Sequence, residues 1–221
     1  MATKVKQQEE NAVVEESFTK VGKWIIDNQN MLLWCLIVVL LIILGVMAFN
    51  NYYRKPRAAA ANEEVAKAVV YFAQQDYEKA LNGDEEDCIG FLAINDKYGS
   101  TKGGKLAALY AGLCEYNLGE YEEAVRLMKK FSADDDIVDP AAKMKIGDAY
   151  AQLDDNKNAV AYFEKAAQSG NEVLAPIALK KAGLAYQALG DEKAAQKAFK
   201  AIKEKYPQSS VASDIDKYIL Q

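Results

Sequence analysis

The feature that most constrains this chain is an apolar run over residues 31–49, nineteen positions without a charged or strongly hydrogen-bonding side chain. As a helix rising about 1.5 Å per residue, the run would be roughly 28 Å long, close to the hydrocarbon thickness of a bilayer. A single helix can cross because its backbone N–H and C=O groups pair with each other. A cleaved signal peptide has a shorter apolar core, and here thirty residues precede the run. Residues 31–49 therefore predict a retained transmembrane helix that contacts membrane lipid.

Aromatic and basic residues flank the apolar run. Trp34 lies near one end and Tyr52 and Tyr53 follow the other, which suits the aromatic belts of a membrane-spanning helix. The basic residues are balanced, since four stand on each side: Lys4, Lys6, Lys20 and Lys23 before the run, and Arg54, Lys55, Arg57 and Lys67 after it. The positive-inside rule therefore leaves open which side of the membrane each terminus faces.

The residues before the run are predicted to be a tail with one short helix. Val14, Phe18, Val21 and Ile25 recur at spacings of four, three and four, with charged residues between them. That spacing predicts an amphipathic helix, which lies either on the membrane surface or against a partner protein. Residues 1–11 are predicted to be disordered.

After Pro56 the chain resembles itself at a period of 35 to 36 residues. Small residues, a turn leucine and an aromatic residue or methionine recur in fixed columns: Gly112, Gly147 and Gly183; Leu118, Leu153 and Leu189; Ala124, Ala159 and Ala195; Met128, Phe163 and Phe199. The small residues let two helices touch, and the large column fills the gap to the next unit. A unit of this kind buries its apolar face only by stacking on a neighbour.

This pattern resembles the tetratricopeptide repeat (TPR), a helix-turn-helix unit, across residues 105–209. The strings that carry the resemblance are IGDAYAQLDDNKNAVAYFEKA and AGLAYQALGDEKAAQKAFKAI. The predicted fold class is all-α: an N-terminal single transmembrane helix, then a TPR-like right-handed α-solenoid of about four helix-turn-helix units with a C-terminal capping helix. The predicted boundaries are a tail at 1–30, the membrane helix at 31–49, a juxtamembrane linker at 50–57 and the TPR-like domain at 58–221, with repeats at 105–139, 140–175 and 176–209.

The two ends of the repeat domain are predicted from weaker similarity. FLAINDKYGST, which begins at Phe91, mirrors FKAIKEKYPQS, which begins at Phe199, and the two lie 108 residues or three periods apart. Residues 58–104 are therefore predicted to be a divergent first unit, whose first helix covers residues 58–81. Residues 210–221 are predicted to be the capping helix, with an apolar face of Val211, Ile215 and Ile219.

No pattern in the sequence indicates catalysis or a metal site. The chain has no histidine, which excludes Ser-His-Asp and Cys-His catalysis and the usual metal-binding sets. Residues 99–105 have the spacing of a phosphate-binding loop, but Leu106 stands where a Ser or Thr would hold magnesium, and no strand precedes it. The acidic runs 84–87 and 134–136 lack the spaced geometry of a calcium loop, and the first is predicted to begin a helix. The sequence predicts no enzyme, no cofactor and no small-molecule substrate.

Charge and cysteines bear on the partners and the compartment. Residues 58–221 contain 20 basic and 27 acidic residues, a net charge of −7, which argues against a nucleic-acid partner. Cys88 and Cys114 lie in successive units. They would be a disulfide in an oxidising compartment or two ordinary core residues, and both alternatives stay open.

The first helices of stacked repeats form an inner surface on which such domains bind their partners. TPR co-chaperones display a clamp of Lys, Asn and Arg there, whereas only Lys180 and Lys181 are basic here. A mixed, mildly apolar groove instead favours weak binding of extended or unfolded protein chain. The alternative is that the capping helix covers part of this surface. The predicted groove residues are Leu109, Leu113, Tyr116, Met144, Asp148, Gln152, Lys180, Leu184 and Gln187.

The layout as a whole resembles the YfgM family of bacterial inner-membrane proteins, ancillary subunits of the SecYEG translocon. The resemblance is carried by FTKVGKWIIDNQN (residues 18–30) before the apolar run, by the Ala-rich segment after Arg57 and by the repeats. It implies a cytoplasmic N-terminus, a periplasmic domain, and translocon components, periplasmic chaperones and unfolded or nascent chains as partners. It brings no catalytic residues. Two alternatives are a cytosol-facing adaptor or receptor, and a structural scaffold of an envelope or secretion complex.

Overall fold

The computed structural model describes residues 21–84 and 86–219, and every regular element in this part of the chain is helical. The prediction of an all-α fold is therefore confirmed for these residues. The chain divides into two compact units, Met1–Pro56 and Arg57–Gln221. The helices in chain order are α1 (Gln29–Phe49), α2 (Lys55–Ala73), α3 (Tyr77–Asn82), α4 (Gly90–Tyr98), α5 (Lys102–Leu118), α6 (Tyr121–Met128), α7 (Val138–Gln152), α8 (Asn156–Ala167), α9 (Leu174–Ala188) and α10 (Glu192–Lys205).

The N-terminal compact unit, Met1–Pro56, contains the apolar helix predicted to span the membrane. Residues 31–49 lie within α1, which is apolar on all sides and has no buried residue. A helix that is hydrophobic all round is typical of a membrane span or of the core of a large protein. In the described part of the chain, one helix is long and apolar enough to cross a membrane, and it includes α1.

The predicted amphipathic helix is described only in part. Residues 21–27 are helical, and Val21 and Ile25, on its predicted apolar face, are both exposed. The other two predicted positions, Val14 and Phe18, lie outside the described residues together with the predicted disordered tail. The choice between a membrane surface and a partner protein stays a prediction.

The segment predicted as a juxtamembrane linker, residues 50–57, is helical in the structure. Asn50–Arg54 form a π-helical turn in which the N–H of Lys55 donates to the carbonyl of Asn50, and α2 begins at Lys55. Pro56 lies in the first turn of α2, the part of a helix that tolerates a residue without an N–H. No glycine stands in this segment to interrupt the helical conformation.

The C-terminal compact unit, Arg57–Gln221, consists of paired helices, and each helix packs mainly against its neighbours along the chain. Three pairs correspond to the predicted repeats, although the first helix of each begins two or three residues before the predicted bound: α5 with α6, α7 with α8, and α9 with α10. Acidic residues cap the second helix of the last two pairs, because Asp155 and Asp191 accept hydrogen bonds from the backbone N–H of Asn158 and Ala194. The helix-turn-helix organisation of a TPR-like fold is therefore present.

Small residues set the distance between paired helices, as the recurring columns predict. A Cβ atom added to Gly147 would lie 2.5 Å from Cε1 of Phe163, and one added to Gly183 would overlap the ring of Phe199. Both rings are buried, so neither has room to move aside. Much of the remaining core is alanine, including the fully buried Ala61, Ala107, Ala124, Ala159 and Ala195.

The first unit of the repeat domain, predicted over residues 58–104, departs from the prediction in its first helix. The helix expected over residues 58–81 is split, because residues 74–76 separate α2 from α3. Gln75 has a left-handed backbone (φ +62°), and the side chain of Asp76 accepts a hydrogen bond from the N–H of Lys79. This turn and cap correspond to those of the later pairs, so the second helix of the first unit starts at α3.

A loop separates α3 from α4, and its described residues, 83–84 and 86–89, include three members of the first acidic run, so the prediction that this run begins a helix is wrong. Oδ1 of Asp84 accepts hydrogen bonds of 2.8–3.0 Å from the three backbone N–H groups of residues 86–88. Oδ2 accepts a hydrogen bond from the Tyr71 hydroxyl. The bond from Tyr71, followed by those from the backbone, holds the pKa of Asp84 well below its usual range, and the same bond raises the pKa of Tyr71 to about 12. Asp84 therefore organises this loop.

The C-terminal segment is not the capping helix predicted over residues 210–221. In its described part, turns precede a 3-10 turn at Ile215–Lys217. The Ser209 hydroxyl accepts a hydrogen bond from the N–H of Ala212 at 3.2 Å, and the Ser213 hydroxyl donates to a backbone carbonyl three residues earlier at 2.8 Å. Local bonds of this kind compete with helix formation.

The apolar face predicted for the C-terminal segment nevertheless packs on the last repeat. Ile215 is fully buried in a cluster with Phe199 and Ile202 of α10, and Val211 and Ile219 pack against that cluster. The segment therefore closes the core of the last helix pair without being a helix.

Candidate protein-binding groove

An open pocket lies between α5 and α7, on the side formed by the first helix of each pair. Its volume is about 310 Å³. Side chains three and four residues apart on one helix share a face, so neighbouring turns of α5 and α7 meet here. The wall is mostly apolar and includes one residue of α9: Leu109, Leu113, Val138, Ala141, Ala142, Met144, Lys145, Asp148 and Lys181.

Four of the predicted groove residues line this pocket, and the structure brings them together from two helices. Leu113, Met144 and Asp148 are half-buried on its wall. Leu109 was expected on the exposed surface but is only 7% exposed, because it packs in the core with Ile146. Leu109 is therefore the floor of the pocket.

Tyr116 lies on α5 one turn beyond Leu113 and extends the same face. Its ring packs edge-on against the ring of Tyr121 at a centroid distance of 5.3 Å, and the ammonium of Lys145 lies 3.9 Å from its centroid. Burial, and after it the negative charge of Asp148, raises the pKa of Tyr116. Tyr116 therefore stands close to the charged residues of the pocket.

Charged groups of the pocket join two neighbouring units. Nζ of Lys181 on α9 lies 2.5 Å from Oδ1 of Asp148 on α7. Lys181 was expected as a basic residue of this surface but not as a groove residue, and Lys145 was not expected there at all, so the prediction that only Lys180 and Lys181 are basic on this surface is wrong. The predicted register contains Met144 and Lys180 and leaves out the residue after each. A helix face about 100° wide includes that next residue, so the signal was present in the spacing.

The other predicted residues do not line the pocket. Lys180 is covered by the C-terminal segment, since its ammonium lies 5.1 Å from the ring centroid of Tyr218. Leu184 is 40% exposed, Gln152 is exposed at the end of α7, and Gln187 is exposed beside α10, where its amide donates to Glu192 at 3.4 Å. The C-terminal segment therefore reaches the last repeat at Lys180, while the pocket itself is open.

A second, polar cavity of about 480 Å³ lies beside the acidic run over residues 134–136. Asp135 accepts hydrogen bonds of 2.9 and 2.5 Å from the N–H groups of residues 137–138 at the start of α7, and these bonds lower its pKa. Asp139 pairs with Lys143 at 2.5 Å. Within residues 21–84 and 86–219, no group of three or more His, Cys, Asp or Glu side chains could hold a metal ion. The acidic run therefore stabilises the start of a helix.

The segment with the spacing of a phosphate-binding loop is occupied by protein packing. The Thr101 hydroxyl accepts a hydrogen bond from the N–H of Gly104 at 3.0 Å and caps α5. A Cβ atom on Gly103 would lie 2.6 Å from Oδ1 of Asn62, and one on Gly104 would overlap the carbonyl of Tyr98. These glycines allow two helices to approach, and no space is left at them for a phosphate.

The two cysteines of the repeat domain are free and buried. Cys88 is 3% and Cys114 is 0% exposed, and both belong to the core cluster of the first unit and α5. Burial raises the pKa of both thiols, that of Cys114 to about 12. Of the two alternatives left by the sequence, the structure has the ordinary core residues.

The chain matches the model of a known family over most of its length. The family model described as "Tetratricopeptide repeat-like domain" matches residues 22–217. No curated protein matches the chain. Among solved structures, the crystal structure of MamA is similar to 57% of this chain and 85% of its own, with a TM-score of 0.39 and 18% sequence identity.

Proposed function

Since the chain belongs to the family of tetratricopeptide repeat-like domains, which generally bind other proteins, we propose that it is a non-enzymatic, membrane-anchored protein whose pocket between α5 and α7 binds segments of partner proteins. The observation that carries the proposal is the open, mostly apolar pocket lined by Leu113, Met144 and Asp148. Concave apolar surface with a few polar groups is typical of a binding site. Families of this kind generally act by binding, which supports a role without catalysis.

In this proposal α1 spans the inner membrane of a bacterium, with the N-terminus in the cytoplasm and the repeats in the periplasm. The length and apolar surface of α1 support the span. The flanking charges are balanced and favour neither direction. The direction is supported by the resemblance of residues 18–30 to the YfgM family.

Cysteine labelling tests the direction of the anchor. Cys88 and Cys114 are buried and would not react, whereas Cys35 is exposed and would first be replaced by alanine to give the parent chain. Into this parent we would introduce Gln208→Cys at an exposed position after α10. A membrane-impermeant maleimide should label this variant in intact cells whose outer membrane is permeable, and should not label the parent chain. Labelling only after lysis would place the repeats in the cytosol and would overturn the periplasmic proposal.

The partners in this proposal are translocon components, periplasmic chaperones and unfolded or nascent secreted chains. A shallow pocket with one apolar centre supports weak binding of many sequences. A photo-crosslinking residue at Met144 in the full chain should capture many different secreted chains, whereas one at the exposed Lys200 of α10 should not. A single defined partner captured at Met144 would instead favour a dedicated adaptor, a receptor or a structural scaffold.

A further inference from the structure

We propose that the pocket selects partner segments in which an aliphatic side chain stands next to a carboxylate, and that Lys145 is the residue that recognises the carboxylate. The inference rests on the proposed function, because it assigns a chemical class to the segment that the same pocket binds. It follows from the apolar wall, from the pairing of the charges around it and from the charge of the surrounding domain.

The apolar part of the pocket fits a small aliphatic group. Leu109 forms its floor, and Leu113, Val138 and Met144 form much of its wall. At about 310 Å³ the pocket is at the lower end of the range for ligand sites. It therefore suits one or two side chains of a protein segment better than a long acyl chain or a large cofactor.

The two lysines that line the pocket differ in their partners. Lys181 is paired with Asp148 at 2.5 Å, so these two neutralise each other. Lys145 also lines the pocket, and in the described part of the chain no carboxylate stands within ion-pair distance of its ammonium. Its ammonium instead lies 3.9 Å from the ring centroid of Tyr116. Contact with an aromatic face does not replace a carboxylate partner, so this ammonium is available to a carboxylate that arrives with the partner.

This local excess of positive charge contrasts with the rest of the domain. Residues 58–221 carry a net charge of −7, so the surface as a whole repels acidic segments. An acidic segment that also carries an aliphatic side chain would meet complementary charge at the pocket and repulsion elsewhere. A basic segment would be attracted to the surface in general and repelled at the pocket itself, which provides discrimination.

Peptide binding to the full chain in zwitterionic lipid nanodiscs tests the inference, with empty nanodiscs as the background. The probes are fluorescein-labelled ten-residue peptides of Gly and Ser around a central Leu-Asp-Leu, Leu-Asn-Leu, Leu-Lys-Leu or Ser-Asp-Ser. Fluorescence anisotropy should give an affinity for the Asp peptide about three- to fivefold higher than for the Asn peptide, the size expected of a partly exposed ion pair. The Lys peptide should bind least among those with leucine. The preference should shrink in about 0.5 M salt.

Two lysine variants separate recognition from general charge. Lys145→Gln should reduce the ratio of Asp to Asn affinity to about one while keeping the preference for Leu over Ser. Lys200→Gln, at an exposed position of α10, should leave both preferences unchanged. Asp148→Asn should have the opposite effect to Lys145→Gln and strengthen binding of the Asp peptide, because it frees Lys181 beside the same pocket. Equal melting temperatures by circular dichroism would show that the variants remain folded.

The outcomes distinguish this inference from the proposed function. If the leucine peptides bind equally whatever their charge, the pocket binds protein segments but the inference is wrong. If no peptide binds and the crosslinker at Met144 captures nothing, both are wrong. If Ser-Asp-Ser binds as well as Leu-Asp-Leu, the apolar pocket has no part in recognition. If decanoate binds the pocket and the peptides do not, the occupant is a fatty acid and the inference is overturned.

Discussion

The first unit and the three repeats after it pair their helices through the same turn but build different second helices. In the repeats α6, α8 and α10 are continuous, whereas in the first unit the loop after Asn82 divides the second helix into α3 and α4. Gly83 and Gly90, at the two ends of that loop, have φ angles of +91° and +73°, which residues with a Cβ rarely adopt. Asp84 and Tyr71 hold the loop by hydrogen bonds.

Two kinds of interaction therefore hold helices that are paired through the same turn. The repeats are held by contact between a small residue in the first helix and a large side chain in the second, as in Gly183 with Phe199. The first unit adds a polar loop around Asp84 and two positive φ angles. We expect the stability of the repeats to respond to side-chain volume, and that of the first unit to backbone conformation and pH.

The largest expected effect is loss of a ring between paired helices. Phe199→Ala should lower the free energy of unfolding by about 3–5 kcal/mol, because Phe199 is fully buried and its removal leaves a cavity. Urea denaturation of the full chain in detergent, followed by circular dichroism, measures it. The matched control is Val173→Ala, since Val173 is 67% exposed and should cost less than about 0.5 kcal/mol. A similar cost for the two variants would contradict the role given to the ring.

A smaller but still large effect is expected at the loop of the first unit. Gly90→Ala should cost about 2–4 kcal/mol, because its Cβ would overlap the backbone of residues 81–83 in addition to the strain of a positive φ. Gly119→Ala isolates the second term, since Gly119 has φ +92° with open space around it, and it should cost about 1–2 kcal/mol. Equal costs would mean that the loop can move to accept the methyl group.

The pH dependence of the first unit comes next. The folded state holds the pKa of Asp84 below its ordinary value near 4, so its stabilisation is present above about pH 4 and is lost as the pH falls further. The pKa of Tyr71 is raised to about 12, so Tyr71 stabilises the folded state at pH values below its ordinary pKa of about 10. That contribution is lost as the pH rises through about 12. Asp84→Asn should lower the melting temperature at pH 7 and reduce its fall between about pH 5 and 2. A melting curve of the variant with unchanged acid dependence would exclude Asp84 as its source.

The smallest expected effect is at the turns that the two regions share. The left-handed position is Gln75 in the first unit, then Gly119, Asp154 and Gly190, with φ from +58° to +92°. Asp154→Gly should stabilise the chain by about 0.5 kcal/mol, since a residue with a Cβ is strained there. Gly190→Asp is the reverse exchange and should destabilise it. Urea denaturation measures the free energy of unfolding of both variants. A lower free energy of unfolding for Asp154→Gly would mean that the aspartate side chain matters more than the backbone.

Regular periodicity made the repeats predictable, because the same residue types return every 35 or 36 positions. The turn at Gln75 was missed because no glycine marks it, although the acidic residue after it matches the later caps at Asp155 and Asp191. The helix expected over residues 210–221 failed for a local reason. Ser209 and Ser213 offer the backbone hydrogen bonds that a helix would have to replace.

The groove was predictable at the level of a helix face and not of individual contacts. Leu113, Met144 and Asp148 meet because their spacing puts them on the inner side of α5 and α7. That Lys181 would pair with Asp148, and Lys145 would lie over Tyr116, depends on how far two units are rotated against each other. The period of the sequence does not specify the angle between neighbouring units.

The packing of each helix mainly against its neighbours along the chain also has a kinetic consequence. Contacts between residues close in sequence require little loop closure, and helical domains dominated by them fold within microseconds to milliseconds. Each new hairpin has a finished one to pack against. Synthesis adds roughly 5–20 residues per second, so each pair of helices after the first should pack on the pair before it long before the next pair has been made.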